Sequence, residues 1–320
     1  MNEDFLAHRR MLLGLAYRML GTLHDAEDVL QEAYLRWTRA DRSDVVEPRR
    51  YLTRVVTRLA VDALRARQSR REEYVGTWLP EPVNTGRRDP VSASDLFSAS
   101  NLHSASNLYS ASNLAGASDP VDTADLIDTS DLSIAVLHLM ERLTPPQRAV
   151  YVLRTAFELP YAEIAAILDR SEEDSRQLHH RAGAALAGRA RFSTDPAEHT
   201  RLLEGFVAAA RDGDVERLEQ LLHEDVVAWN DGGGKVRTGP NPIRGRAKVV
   251  RFFVAIMRRH TPAGPRPFTA VPTGVNGQYA LLVDANYRYT MCVNVVDGRI
   301  QDLFRIANPA KLSTFGGERS

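Results

Sequence analysis

Two all-α domains followed by a C-terminal α+β domain are the architecture this sequence predicts. Three observations carry that reading. Helical periodicity runs through roughly residues 1–75 and returns over 134–192. A low-complexity stretch separates the two. Beyond about residue 198 the pattern turns mixed, with strand-like runs at Val226–Asn230, Tyr279–Ala285, Tyr287–Val296 and Ile300–Ala307 among helical ones.

The totals set bounds. A chain of 320 residues suits two or three domains. Lys plus Arg number 41 and Asp plus Glu 41, so no overall basicity announces a polyanion. The charge is segregated instead: Arg49, Arg50, Arg54, Arg58, Arg65, Arg67, Arg70 and Arg71 crowd one stretch, opposed mainly by Asp62. The single cysteine, Cys292, excludes an intramolecular disulfide and a cysteine metal cluster and fits a reducing, cytoplasmic setting. The acidic start, Met1–Asp4, is unlike a signal peptide, and no apolar run reaches spanning length.

Phe5–Leu20 reads as an amphipathic helix with Gly21 as its stop. The next helix, Asp25–Trp37, reads DAEDVLQEAYLRW. His24 or Asp25 is positioned to cap it, and Glu27 and Asp28 favour the positive end of its dipole. Val29, Leu30, Ala33, Tyr34, Leu35 and Trp37 supply apolar surface; Asp25, Asp28, Gln31, Glu32 and Arg36 form the opposite face. After a polar loop, Pro48 starts a third helix over Arg49–Arg71, packed through Tyr51, Leu52, Val55, Val56, Leu59, Ala60, Ala63 and Leu64. An acidic helix beside an arginine-rich one suits docking to a protein while a neighbour holds DNA.

DAEDVLQEAYLRW resembles the core-polymerase-binding helix, region two, of extracytoplasmic-function (group 4) RNA polymerase sigma factors. The resemblance implies polymerase contacts from Asp25, Glu27, Asp28, Gln31 and Glu32. RRYLTRVVTRLAVDALR is similar to the helix that reads and melts the minus-ten promoter element. It implies phosphate contacts from Arg49, Arg50, Arg54 and Arg58, with the loop Thr38–Pro48 capturing an unstacked base. Residues 1–75 are therefore expected to be region two.

Residues 76–133 read as a linker. YVGTWLPEPV (Tyr74–Val83) breaks helical logic with Gly76, Pro80 and Pro82, and Trp78 and Leu79 invite docking to a surface. The string resembles a signature of the sigma-factor branch with a fused C-terminal SnoaL-like domain, although Thr77 stands where that branch usually has proline. Next comes a six-residue repeat, with Asp or Asn at Asp95, Asn101, Asn107, Asn113, Asp119, Asp125 and Asp131 and leucine following at most of them. Its small, polar residues have little to bury, so it reads as a disordered tether.

The second helical domain opens with a helix over Ile134–Leu143. Thr144 caps the next, with Pro145 at its first position and Gln147 in the box position. Tyr161–Leu168 is a short support helix, Asp169–Arg170 turns the chain, and Ser171 caps a recognition helix, SEEDSRQLHHRAGAAL. The stretch resembles sigma region four and implies reading of the minus-thirty-five element in the major groove. Ser171, Ser175, Arg176, His179, His180 and Arg181 are the DNA-facing candidates, with Arg176 and Arg181 best suited to base or phosphate contact. Adjacent His179 and His180 do not share a helix face, so no metal site is expected there.

In the C-terminal domain, roughly 198–312 before a tail at 313–320, helices are expected at His199–Arg211, Val215–His223 and Arg246–Arg259. The pattern resembles the SnoaL-like cone, a curved sheet wrapped by helices around a pocket with room for a small ligand. Two strings support the fused branch: DGGGK (Asp231, Gly232, Gly233, Gly234, Lys235) and NPAKL (Asn308, Pro309, Ala310, Lys311, Leu312). The family pattern has Asp in place of Ala310, which leaves any salt bridge made by the motif open. With Trp78, Leu79 and Pro80, these strings are the regulatory candidates. The resemblance implies that the domain touches the region-two and region-four core and modulates polymerase engagement in place of a separate anti-sigma protein. Catalysis would need a carboxylate with a histidine or arginine. Asp231, Asp284, Arg246, Arg288 and His260 are available but form no evident constellation, so no catalytic residue, cofactor or metal is expected.

The sequence thus favours an alternative sigma factor that binds core RNA polymerase and promoter DNA under control of its own C-terminal domain. The alternative is a SnoaL-type enzyme with a polymerase-independent DNA-binding module. It gives the acidic region-two helix no task.

Overall fold

The computed structural model describes residues 3–40, 45–70, 74–86, 133–187, 195–239, 241–259 and 268–316. The six-residue repeats, the middle of the loop Thr38–Pro48, His260 and the last residues of the tail lie outside them. The chain divides into two compact units. The first holds the described residues of 3–70 and 136–187, and the second holds those of 74–86, 133–135 and 195–316.

The helices of the first unit are α1 (Glu3–Leu20), α2 (Leu23–Arg39), α3 (Pro48–Arg70), α4 (Ile134–Met140), α5 (Pro145–Thr155), α6 (Tyr161–Leu168) and α7 (Glu172–Leu186). Every residue from Leu12 to Leu20 of α1 is buried, including Arg18. A helical stretch buried on all sides belongs at the centre of a bundle, and α1 packs on α2, α3 and α5. α2 begins earlier than expected. Thr22, not His24 or Asp25, is its N-cap and accepts from the Asp25 N–H at 3.3 Å. Leu35, expected among the apolar residues of α2, is exposed, while Leu23 and Ala26 are buried. α4 ends at Met140, shorter than expected, and a turn leads to the capping box of Thr144 and Gln147 on α5. Between α6 and α7, Asp169 adopts φ +59°, a left-handed conformation that Asp tolerates.

Arg67, an apparent member of the basic face, turns inward. It donates to the Leu20 carbonyl and to both oxygens of Glu141, at 2.9 and 3.1 Å. Arg148 of α5, 1 % exposed, donates to the same carboxylate and to the Arg18 carbonyl. Burial lowers both guanidinium pKa values, and for Arg148 the neighbouring Arg67 charge adds to that. This shared carboxylate, just past the end of α4, ties α3 to α5, and the helices of both helical stretches form a single compact unit.

The second unit is a seven-stranded sheet in the order β1-β4-β5-β6-β7-β2-β3. Its strands are β1 (Asn84–Gly86), β2 (Leu222–Asp231), β3 (Ile243–Arg244), β4 (Thr269–Val275), β5 (Gln278–Asp284), β6 (Arg288–Val296) and β7 (Arg299–Ile306). Neighbours are antiparallel except β2 and β7, which pair in parallel. The register shifts in β2 and β6, as bulges that curve a sheet do. Helices α8 (Pro196–Asp212), α9 (Val215–Leu221) and α10 (Arg246–Arg259) cover one face. There Phe206, Val249, Phe253, Leu281, Val293 and Leu303 build the larger core.

Alternation along the strands gives the opposite face a second core of Trp229, Val275, Cys292, Phe304 and Ile306. Leu79, Leu312 and Phe315 close it. Residues 76–86, expected to be linker, are therefore part of this domain, as are Tyr74 and Val75, expected at the end of the first. Val83 and Asn276 exchange hydrogen bonds at 2.9 Å, and β1 extends the sheet beyond β4.

Candidate functional sites

On α2, Glu27, Asp28 and Gln31 are exposed, with Asp25 and Glu32 half-buried. Asp25 takes a 2.6 Å hydrogen bond from the Thr22 hydroxyl, and Glu32 pairs with Arg36 at 2.8 Å, one turn on. Glu27 and Gln31 border a groove with Phe5, Leu6, Arg9, Leu30 and Tyr34. Leu6, an apolar residue of the amphipathic α1, is 61 % exposed there. An acidic rim beside an uncovered leucine suits a partner that brings both basic and apolar groups.

Arg50, Arg54 and Arg58 lie one turn apart along α3, and Arg49 is beside them. Arg49 and Arg54 are exposed. Arg50 lies 3.6 Å from Glu163 of α6, and Arg58 donates at 2.8 Å to the Ile167 carbonyl near the C-terminus of α6. Two of the four candidate phosphate ligands thus contact the support helix of the helix-turn-helix.

On α7, Ser171 caps the helix by accepting from the Asp174 N–H at 3.0 Å. Arg176, His180 and Arg181 are exposed and, with Glu173 and Gln177, line one shallow surface. Ser175 does not join them. It is fully buried and donates to the Ser171 carbonyl at 3.0 Å, because 175, 178, 182 and 186 form the seam that packs inward. His179 is also turned away, bonded to the Tyr161 hydroxyl at 2.9 Å and stacked on Tyr151; burial, then the nearby Arg154 charge, lowers its pKa. The acidic start of α7 is held in pairs within the helix and its cap, Glu172 with Arg176 and Asp174 with Arg170.

In the second unit the three strings expected to be regulatory meet at one carboxylate. Asp231 ends β2 fully buried. Its Oδ1 accepts from the Tyr74 hydroxyl at 2.6 Å and from the Gly233 N–H at 3.0 Å. Its Oδ2 accepts from the Leu79 N–H at 2.9 Å and from Lys311 Nζ at 2.7 Å. Lys311 also donates to the Leu79 carbonyl and lies over the Trp78 and Tyr74 rings, 4.2 and 5.2 Å from their centroids. Burial first, then Asp231, raises the Tyr74 pKa. Leu79 and Pro80 are buried and Trp78 half-buried.

Asn308 completes the clamp by donating to the Tyr74 oxygen at 3.1 Å and accepting from the Ala310 N–H. Gly233, at φ +57°, approaches so closely that a Cβ there would lie 2.3 Å from the Asn308 amide nitrogen. Ala310 is exposed, and the motif's salt bridge is nevertheless present, because Lys311 makes it with Asp231. Gly234 and Lys235 are exposed, so the glycine run and not the lysine side chain shapes this corner. Tyr74, Asn276 and Thr314 belong to the docked segment's contacts and were not singled out by sequence. Of the acid–base candidates, Asp231 is committed to Lys311, and Asp284 to Arg288 through two bonds of 2.9 Å. No helix among the described residues is long and apolar enough to cross a membrane.

The sigma-70 region 2 model matches residues 5–70, and the sigma-70 region 4 model matches residues 133–186. The chain is 36 % identical to the ECF RNA polymerase sigma factor SigJ of Mycobacterium tuberculosis, over 97 % of this chain and 93 % of that one. It is 31 % identical to the probable ECF sigma factor SigI of the same organism, over 78 % of each. The crystal structure of M. tuberculosis SigJ superposes with a TM-score of 0.72 at 33 % identity, covering 98 % of this chain and 99 % of that one.

Proposed function

The chain belongs to the extracytoplasmic-function RNA polymerase sigma factors, and from that premise we propose that its C-terminal cone controls initiation by holding or releasing the segment Tyr74–Gly86. As a sigma factor of this family it directs promoter-specific transcription initiation. In the reading favoured here, Asp25, Glu27, Asp28, Gln31 and Glu32, with the groove at Leu6, receive core polymerase. Arg49, Arg50, Arg54 and Arg58 hold phosphates around the minus-ten element. Arg176, His180 and Arg181 enter the major groove at the minus-thirty-five element, and Ser171 sets the start of that helix. Arg50 and Arg58 leave α6 when they take up DNA, so the closed helical unit is a resting form.

The cone acts in place of a separate anti-sigma protein and is regulatory, not catalytic. One observation carries this: a single buried carboxylate gathers donors from the Trp78–Pro80 segment, the glycine run and Lys311. The segment follows α3 within a few residues, so its release lengthens the free chain between the helical unit and the cone. Run-off transcription with core RNA polymerase tests the reading, comparing the full chain, a version ending after Arg191, and Lys311→Met. Promoter-specific transcript from the full chain, with yields that differ in both variants, is expected. Equal yields from all three overturn the regulatory reading, and no transcript from any overturns the assignment of polymerase contacts.

A further inference from the structure

The helix-covered face of the sheet contains a positive charge that no carboxylate in the described structure neutralises. Arg305 on β7 is 1 % exposed. Alternation places it with Leu303 and Ala307, opposite Asn230 of β2 and Met291 of β6, facing the larger core. Its guanidinium bonds to the Tyr287 hydroxyl, reaches Asn230 Oδ1 at 3.5 Å, and lies over Tyr289, 4.4 Å from the ring centroid. Burial pushes the Tyr289 hydroxyl up to about 12, with Arg305 pulling it down. Arg305 Nε is buried and bonds to nothing among the described residues. Glu204, the buried carboxylate of the same core, takes its 2.5 Å hydrogen bond from Tyr279.

A guanidinium has five N–H donors and a fixed positive charge. Buried charges are normally paired, since burial costs several kcal/mol per ion that ring stacking offsets only in part. The unused Nε and the planar fork match a carboxylate, which accepts two parallel hydrogen bonds. The surroundings narrow the class further. A monoanion balances one cation in an apolar enclosure, whereas a phosphate dianion leaves a net buried charge. Leu303, Met291 and the tyrosine rings make the surroundings of the guanidinium apolar and aromatic, which favours a carboxylate with an apolar body over a polar one. Tyr287 is half-buried at the β5–β6 turn and is the member of the cluster open to solvent.

We propose that the cone binds a small monocarboxylate with an apolar body, held by Arg305 and Asn230 and admitted past Tyr287. This inference rests on the cone alone and stands or falls separately from control of transcription.

The test is thermal unfolding and titration calorimetry of the full chain with acetate, hexanoate and benzoate, and with benzamide as the neutral counterpart of benzoate. Saturable binding of hexanoate or benzoate, with a raised unfolding temperature and no response to benzamide, is expected. Arg305→Lys keeps the charge but loses the fork and should weaken binding at least about tenfold. Tyr287→Phe, closer to solvent, should weaken it several-fold and serves if the lysine variant does not fold. Equal binding of benzamide, undiminished binding in a folded variant, or no binding of any of the three carboxylates overturns the proposal.

Discussion

Replacing Lys311 with methionine should release the Tyr74–Leu79 end of the docked segment. The substitution keeps most of the side-chain volume and deletes one ammonium. Asp231 then remains fully buried with three donors in place of four, and the Leu79 carbonyl loses its partner. Removing one member of a buried pair costs about 3–5 kcal/mol, and the three remaining hydrogen bonds place this case near the lower end. About 3 kcal/mol shifts the docked-to-free ratio by roughly a hundredfold. Docking at Leu79 gains about 2 kcal/mol from burying its side chain and about 1 kcal/mol from each of its two backbone hydrogen bonds, so a loss of that size competes with the attachment at this end, while the Val83–Asn276 bonds and β1 still hold the other. Chymotrypsin provides the assay, because Tyr74, Trp78 and Leu79 become cleavable only when the segment leaves the sheet. Faster cleavage there and a lower unfolding temperature are expected for Lys311→Met, with neither in Lys235→Met, whose side chain is exposed. Unchanged protection in Lys311→Met, or equal loss in Lys235→Met, would refute the clamp.

Four further outcomes are expected. Gly233→Ala should destabilise the same corner by about 2 kcal/mol, through the strain of φ +57° and the contact with Asn308, read as a shift in denaturant midpoint. Asp28→Lys with Glu32→Lys should abolish capture by core RNA polymerase while leaving the helical circular dichroism intact, since both side chains are at least partly exposed. Arg54→Ala should weaken promoter binding across sequences and lower the slope of log affinity against log salt by about one, as loss of one phosphate contact does. Burial holds the His199 pKa below its ordinary value, with Glu198 and Asp195 opposing. The unfolded chain therefore binds the extra proton first, and this contribution to stability, present above about pH 6.5, is lost as pH falls below that value through the lowered folded-state pKa. His199→Phe should flatten that part of the unfolding-temperature profile.

The helical unit was legible because a 3.6-residue period survives in sequence wherever one face is buried. Helices α2, α3, α6 and α7 fall within about two residues of expectation, and the capping box and Ser171 cap are local signals. The inward turn of Ser175 was legible as well, in its spacing from Leu178, Ala182 and Leu186, and was outweighed by its place near the start of a recognition helix. The strands missed are those without a pattern. β4 contains Pro272 and Gly274, which read as turn signals, and β1 has three residues, too few for any period. Neither Leu6 nor Arg67 could be placed by spacing alone, since each depends on which neighbour is present or absent at that point of the bundle.

The corner around Asp231 shows why single-motif readings stop short. DGGGK alone reads as a turn, Trp78–Pro80 alone as an apolar stretch inviting a surface to dock on, and NPAKL alone as a motif short of one carboxylate. Each is incomplete by a definite chemical need. A buried carboxylate requires a cation, an irregular segment crossing a sheet requires partners for its backbone, and a buried lysine requires a carboxylate and apolar walls for its stem. The structure meets all three needs at once, because Lys311 spans Asp231 and the Leu79 carbonyl while Trp78 and Tyr74 flank its charge. The same geometry explains why alanine is tolerated at position 310. That side chain points to solvent, and the position contributes its backbone N–H to Asn308, which any residue except proline supplies. Ala310→Asp should therefore leave chymotrypsin protection of the segment unchanged, whereas Ala310→Pro should reduce it.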